Sequence, residues 1–323
     1  MNGLRFNRGN LLKVAAIFFP MVASVAFTAA KTQMGQGFPT PQAAVSAQTQ
    51  AVNSHNVSML HQIFGPGIED LKNPDRVQAT NEIEGFAADL NTTNALVRRA
   101  DNSFELDVGA DAWPFPVPIV KKEGQWFFDT EAGEQELLNR RIGRNELDVL
   151  KGLRGYVDAQ REYASKDRMG DEVLQYAQRI ASTPGKKDGL YWPAATNEPA
   201  SPFGPLVAEA HVEGYGTNHD AGPHPFHGYL FRILTAQGNA APDGKIDYMS
   251  EGVLAGGFAL VAYPEHWDQS GIMTFIVNQE GKVYQQNLGK STSRIAGAMK
   301  EYNPDNQWTL VPDEGVVSAI SEK

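Results

Sequence analysis

Cysteine is absent from the 323 residues of this chain. Without thiols the chain forms no disulfide bonds, offers no thiolate nucleophile, and cannot be anchored through a lipidated cysteine. Stability must therefore come from packed cores. The composition allows this, because 41% hydrophobic and 20% charged residues are typical of a globular protein with one large or two ordinary domains.

Positive charge is scarce. The formal net charge is −10, and the chain contains no long block of lysine and arginine. Residues 1–30 contribute Arg5, Arg8 and Lys13 but no acidic residue, so a chain without them carries a net charge of −13. Such an acidic protein repels phosphate backbones and anionic lipids. We therefore predict no nucleic-acid partner.

The motifs of several enzyme classes are missing as well. The sequence contains no Gly-x-Ser-x-Gly elbow, no Gly-x-x-x-x-Gly-Lys phosphate loop, and no Gly-x-Gly-x-x-Gly turn after a strand. These absences count against α/β-hydrolase chemistry and against nucleotide or dinucleotide cofactors. We predict no cofactor.

Residues 1–30 have the pattern of a cleavable signal peptide. A basic start is followed by an uncharged apolar stretch from Val14 to Ala30, and small residues at its end fit a signal-peptidase site. An uncleaved anchor is the alternative, but the stretch is short for a membrane span and Pro20 interrupts it. We predict a periplasmic or secreted bacterial protein, with no stable membrane insertion after cleavage.

The first half of the remaining chain has helices followed by an antiparallel sheet, which is an α+β order. Thr40 is placed to cap a first helix that starts at Pro41. Alternating apolar residues indicate strands, and prolines at every second position of 113–119 indicate a sheet edge. The predicted helices are 57–64 and 76–90, and the predicted strands are 95–99, 103–109 and 125–129.

The second half is predicted to be a helix followed by a β-rich part. We expect a break between two helices at Ile142-Gly143-Arg144-Asn145, and a long amphipathic helix from Asn145 with Leu147 and Tyr156 on its inner face. Further predicted elements are a helix at 171–181, strands at 227–234, 252–263, 271–278 and 282–288, and a last helix from Ser291 or Thr292 to Tyr302. The predicted domains are 31–144 and 145–310, with a flexible tail at 311–323.

Each half resembles a known fold. The Phe38-x-Thr40-Pro41 opening and the Gly124-x-Trp126-x-x-Asp129 closing strand resemble the cystatin-like, nuclear-transport-factor-like domains, in which a curled sheet covers a helix. The helix from Asn145 and its meander resemble the globular heads of pilins and pseudopilins. Those proteins carry a long N-terminal assembly helix that this sequence lacks, so the resemblance does not imply assembly into a pilus.

Dense sequence blocks resemble one bacterial family over the whole mature chain. The family is catalogued as domain of unknown function 2950. The resemblance implies an exported bacterial protein, and it implies no particular activity. The blocks that carry it are Trp113–Pro116, Phe128–Gly133, Asn139–Leu147, Tyr156–Ala164, Asp188–Trp192, His227–Tyr229 and Gly271–Phe275.

Three histidines are the best candidate metal ligands that the sequence suggests. His219, His224 and His227 lie within nine positions, with Asp220 beside them and His211 upstream. Imidazoles that converge can bind zinc in a tetrahedral site. The spacing matches no metallohydrolase signature, however, and polar loop histidines are the alternative that we prefer. No metal ligand is assigned.

Three arginines, Arg140, Arg141 and Arg144, allow two interpretations. Their forked guanidinium groups could bind a carboxylate or a phosphate. They also lie among acidic residues, including Glu136 and Glu146, so an internal salt-bridge network is the interpretation we favour.

The sequence therefore favours a non-enzymatic, exported envelope protein with a binding or assembly role, whose partner is another envelope protein or a small ligand. The alternative is a metal-dependent envelope hydrolase that uses the histidine cluster near His224. No catalytic residue is assigned.

Overall fold

The N-terminal part of the protein is a group of helices packed on an antiparallel sheet. The computed structural model describes residues 34–194, 197–212 and 225–312. Thr40 caps the first helix as predicted, because its Oγ1 accepts the backbone N–H of Ala43 at 3.1 Å. The helices are α1 (Pro41–Asn53), α2 (Val57–Phe64), α3 (Ile68–Leu71) and α4 (Arg76–Thr92).

The N-terminal sheet has five strands. Its antiparallel order is β1-β2-β4-β5, and the short β3 pairs with the end of β2. The proline-rich segment thus contributes a two-residue edge pairing, as its missing backbone donors require. The strands are β1 (Asn94–Arg98), β2 (Phe104–Val108), β3 (Trp113–Pro114), β4 (Ile119–Lys122) and β5 (Gln125–Phe128).

A hydrophobic core fills the space between these helices and the sheet. Val45 and Val52 on α1 pack with Leu106 of β2 and Phe128 of β5, and all four are buried. Burial of such side chains stabilises the fold by about 1.5–3 kcal/mol each. The residues of this core all precede α5, except Leu137. Leu137 belongs to α5 and packs, partly buried, against the core.

Helix α5 (Thr130–Ala164) is continuous over 35 residues. The predicted break at 142–145 is wrong. Ile142, Asn145 and Val149 are buried on one face of the helix, while Gly143 is exposed with open space around it. One exposed glycine costs a helix about 1 kcal/mol, and the buried residues on both sides of it offset that cost.

The C-terminal part is β-rich. Its main sheet is antiparallel with the order β15-β13-β12-β11-β6. The strands are β6 (Tyr229–Leu234), β7 (Ala236–Gln237), β8 (Ile246–Asp247), β9 (Met249–Ser250), β10 (Val253–Leu254), β11 (Ala259–Pro264), β12 (Thr274–Asn278), β13 (Val283–Gln286), β14 (Glu301–Tyr302) and β15 (Thr309–Leu310). Two small sheets, β9-β10 and β14-β7-β8, complete this part.

A second core lies between α5 and the main C-terminal sheet. Leu153, Tyr156 and Val157 of α5 pack with residues of β11 and β12, such as Val261 and Phe275. Leu147, predicted to face inward, is 62% exposed. The apolar face of the helix therefore contacts this core mainly C-terminal to Val149.

The predicted helix at 171–181 is wrong. Asp167 accepts hydrogen bonds from the backbone N–H groups of Met169, Gly170 and Glu172, so this segment forms a turn instead of a helix. Further along, Gln160 of α5 bonds both the N–H and the C=O of Ala177, at 2.8 and 2.9 Å. These contacts satisfy the backbone without a helix.

Two other helices differ from the expectation. The loop-like region after residue 182 contains α6 (Gly204–Val212), which the sequence did not predict. The last helix, α7 (Thr292–Ala298), ends four residues early, because Arg232 donates to the carbonyls of Ala296 and Met299 and the chain then enters β14.

The mixed α+β order is confirmed: helices and a sheet, one long helix, then an antiparallel sheet. The described residues belong to one compact unit that begins at Met34. Within the described ranges, no helix is long and apolar enough to span a membrane.

Candidate functional site

A network of buried polar side chains connects α4, the middle of α5 and two loops of the C-terminal part. We call Asn73, Gln78, Asn145, His227 and Ser270 the junction network. Asn145 is 1% exposed and lies at its centre. Its Oδ1 accepts the amide of Gln78 at 2.9 Å, and its Nδ2 donates to the carbonyl of Ser270 at 2.8 Å. The polar groups of Asn145 are thus satisfied by both halves of the chain.

Gln78 determines how His227 takes part in the network. The Oε1 of Gln78 accepts from Asn73 at 3.0 Å, so its Nε2 is the donor to Asn145 and to Nδ1 of His227, the latter at 2.9 Å. In the neutral ring this Nδ1 is therefore the acceptor. Asp148 Oδ2 lies 3.3 Å from the same nitrogen and can pair with the ring when it is protonated.

Glu146 holds the neighbouring loop onto α5. One of its carboxylate oxygens accepts the backbone N–H groups of Ile272 and Met273, each at 3.0 Å. Tyr229 donates to the carbonyl of Met273 at 2.9 Å. Burial, and then the nearby charge of Glu146, raise the pKa of the Tyr229 hydroxyl far above its usual value. This tyrosine therefore stays protonated and acts as a donor.

The backbone at 227–228 is adapted to this packing. His227 and Gly228 have φ values of 48° and 70°, in the left-handed region that favours glycine. A Cβ at Gly228 would lie 2.6 Å from Cβ of Ser270 and 3.0 Å from Nδ2 of Asn145. Only glycine allows the chain to approach α5 this closely.

The junction network, together with the Glu146 contacts beside it, brings together three of the blocks that carry the family resemblance, 139–147, 227–229 and 271–275. A histidine and a nearby aspartate, His227 and Asp148, are two of the residue types of a catalytic triad. The nearby serine, Ser270, makes its hydrogen bonds to other groups. Ser270 Oγ bonds the backbone N–H and C=O of His266, each at 3.1 Å. Ser270 Oγ is therefore not placed as a nucleophile activated by His227, because the nucleophile of such a triad bonds the histidine.

A polar cleft of about 840 Å³ lies next to the junction network. Its walls are the α3–α4 connection (69–74), the outer face of α5 between 134 and 141, and the loop after β11 (265–269), together with Lys290 and Ser293. The volume is in the range of small-molecule sites. We call it the Arg141 cleft, after the residue at its base.

Two of the three arginines singled out in the sequence make internal ion pairs. Arg140 contacts Glu136 at 2.7 Å, donates to the carbonyl of Pro114 and covers the ring of Trp113. Arg144 contacts Glu82 on α4 at 3.1 Å. The salt-bridge interpretation is therefore correct for these two residues.

Arg141 does not fit that interpretation. Its side chain is 6% exposed, yet among the described residues no carboxylate lies within 4.0 Å of its guanidinium group. Its Nη2 donates to the carbonyl of Leu71 at 2.9 Å, while its buried Nε has no hydrogen-bond partner. A buried charge is usually paired, so this guanidinium group is under-compensated.

Burial also affects the charge itself. Desolvation lowers the pKa of Arg141 below its usual value; the nearby charge of Glu82 raises this pKa, and that of Arg144 lowers it. An arginine remains protonated in proteins even so. The cleft therefore has a fixed positive charge at its base. From the sequence alone, Arg141 could not be distinguished from Arg140 and Arg144.

The predicted histidine cluster is only partly described. His219 and His224 lie outside the described residues, and His227 is in the junction network. In the part of the chain that the structure describes, no group of three or more histidine, aspartate or glutamate side chains is placed to hold a metal ion. The metal-site hypothesis stays a prediction.

Metal content is a direct test of that hypothesis. We expect less than one zinc, copper or nickel ion per chain, because the spacing of His219, His224 and His227 matches no metallohydrolase signature. The measurement is elemental analysis of protein purified without a histidine tag. One bound ion per chain that disappears in a His224→Ala variant would instead support the hydrolase alternative.

The fold and these sites define a mixed α+β protein with a buried polar junction and an open polar cleft. A family model described as "Protein of unknown function (DUF2950)" matches residues 35–311. The chain therefore belongs to this family, which confirms the resemblance carried by the sequence blocks. No curated protein and no solved structure matches the chain significantly.

Proposed function

We propose that this protein is exported to the bacterial envelope and acts there as a non-enzymatic binding protein, with its ligand in the Arg141 cleft. The observation that carries the proposal is a buried, positively charged Arg141, which has no carboxylate partner among the described residues and which lines a cleft of about 840 Å³. The ligand is a small molecule or a segment of another envelope protein.

Three further observations support this proposal. The basic and apolar N-terminus supports export, and the missing enzyme motifs support a binding role. The Ser270 hydroxyl bonds the His266 backbone, so this serine is not the nucleophile of a triad with His227. We also propose, as a finer description of the fold, that the N-terminal sheet curls as in cystatin-like domains and that the C-terminal sheet resembles a pilin head.

The export proposal predicts a shortened chain. Mass spectrometry of protein recovered from the periplasm or the culture medium should show a mature N-terminus at residue 27 or 31, because Ser24 with Ala26, or Thr28 with Ala30, fits a signal-peptidase site. An intact Met1 would contradict cleavage.

The binding proposal is tested by native mass spectrometry of protein purified from envelope fractions. We expect a mass above that of the bare chain, and we expect Gln269→Trp to remove it, because this exposed residue lines the cleft. Glu84→Trp is the matched control, since Glu84 is exposed on α4 and does not line the cleft. A bound mass unaffected by Gln269→Trp would place the ligand elsewhere.

A further inference from the structure

The unbound Arg141 has an unfavourable environment. Removing a charge from water costs several kcal/mol, and this cost is usually offset by an opposite charge and by hydrogen bonds to the remaining donors. Arg141 has one bond to the carbonyl of Leu71 and an unpartnered buried Nε. An anion entering from the cleft would supply the missing charge.

We infer that Arg141 binds the carboxylate group of a small ligand that is otherwise neutral or positively charged, such as a monocarboxylic acid or an amino acid. This inference rests on the proposed function, since it assigns a ligand class to the same cleft. The guanidinium group presents parallel N–H donors that match the two oxygens of a carboxylate.

The charges of the cleft disfavour a ligand with two negative charges. Four acidic and three basic residues line it, so with neutral histidine its formal charge is −1. Lys72 is neutralised by Glu69 at 2.7 Å. A dianion such as phosphate would therefore meet repulsion, whereas an ammonium group on the ligand would be attracted. The acidic residues are Glu69, Glu134, Glu265 and Asp268, and the basic ones are Lys72, Arg141 and Lys290.

The rest of the cleft can accommodate the body of such a ligand. Leu138 and Trp267 line the cleft and are only partly buried, so they offer apolar surface in the same cleft as the Arg141 guanidinium group. Pockets with a few placed polar groups and apolar walls are typical of small-molecule sites.

The test uses ligand-observed NMR, followed by calorimetry, on the purified protein. The probes are the standard amino acids, benzoate and butyrate, the uncharged amides of these two acids, and the dianions succinate and inorganic phosphate. We expect at least one amino acid or monocarboxylate to bind, and the corresponding amide or amine without the carboxylate to bind roughly tenfold more weakly or worse. Equal binding of the amides, a preference for phosphate, or no binding by any probe would overturn the inference.

Variants of Arg141 provide the second part of the test. Arg141→Gln should weaken carboxylate binding roughly tenfold or more. Arg141→Lys should retain part of the binding, because lysine keeps the positive charge but lacks the parallel N–H donors of a guanidinium group. Arg144→Gln is the matched control and should bind as the wild type does, since Arg144 is paired with Glu82. Arg141→Met tests for misfolding, and its melting temperature should stay close to that of the wild type. Unchanged binding in Arg141→Gln would contradict the inference.

The failure of this inference differs from the failure of the proposed function. A neutral ligand that is lost in Gln269→Trp but retained in Arg141→Gln would overturn the carboxylate assignment and leave the cleft as the binding site. A ligand retained in both variants would overturn the cleft as well.

Discussion

Replacing Tyr156 with alanine is expected to lower the free energy of unfolding by about 3–5 kcal/mol. Tyr156 is fully buried in the C-terminal core, and its ring makes an edge contact with Phe258 at 5.7 Å between ring centroids. Its hydroxyl accepts from Gln160 at 3.0 Å. The substitution removes the ring from the contact between α5 and the main C-terminal sheet and leaves a cavity. The measurement is the urea midpoint of the purified protein.

Two variants serve as controls for this result. Tyr156→Phe should cost only about 1–2 kcal/mol, because it removes the hydroxyl's hydrogen bonds with Gln160 and the Ala259 carbonyl and keeps the packing. Leu147→Ala should change the free energy of unfolding by less than about 0.5 kcal/mol, because Leu147 is 62% exposed on the same helix. Equal losses from Leu147→Ala and Tyr156→Ala would contradict the exposed position of Leu147 and place both residues on the inner face of the helix.

Replacing Asn145 with leucine is the second substitution with a large expected effect, a loss of about 2–4 kcal/mol in the free energy of unfolding. The two side chains are similar in size, so the change removes hydrogen bonds more than volume. Gln78 loses one acceptor and the buried carbonyl of Ser270 loses its donor. Both groups lie where water cannot easily replace the lost partner.

Asn139→Leu is the matched control for this variant. Asn139 lies on the same helix but is exposed, and among the described residues its side chain bonds only the exposed Gln135. Its replacement should change the urea midpoint little. A similarly small effect of Asn145→Leu would show that the junction network contributes little to the stability of the fold.

Much of the N-terminal half was predictable because local patterns determine it. Thr40 and Pro41 specify the start of α1. Alternation of apolar and acidic residues around Leu106 specifies β2, and the prolines confine 113–114 to an edge pairing. In each case the signal lies in a few adjacent residues and no distant contact opposes it.

The errors occur where distant contacts decide the structure. The helix α5 continues through Gly143 because residues on both sides of it are buried against different parts of the chain. The segment around Ala177 is not helical because Gln160 of α5 hydrogen-bonds the backbone N–H and C=O of Ala177. Neither contact can be predicted from the spacing of apolar residues in the sequence.

The candidate site was predictable only in part. The sequence identified three arginines and proposed ion pairs for them, which is correct for Arg140 and Arg144. The exception, Arg141, depends on which face of α5 is covered by the α3–α4 connection and by the loop after β11. The junction network was also missed, because its hydrogen-bonded pairs lie up to 149 positions apart. The one available signal was the set of sequence blocks that meet there.

The most direct test of this account is a crystal structure of the protein with the amino acid or monocarboxylate that binds it most tightly. We predict both carboxylate oxygens within hydrogen-bond distance of the Arg141 guanidinium group, inside the Arg141 cleft. A ligand bound elsewhere, or an Arg141 that pairs with a carboxylate of the protein itself, would contradict the account.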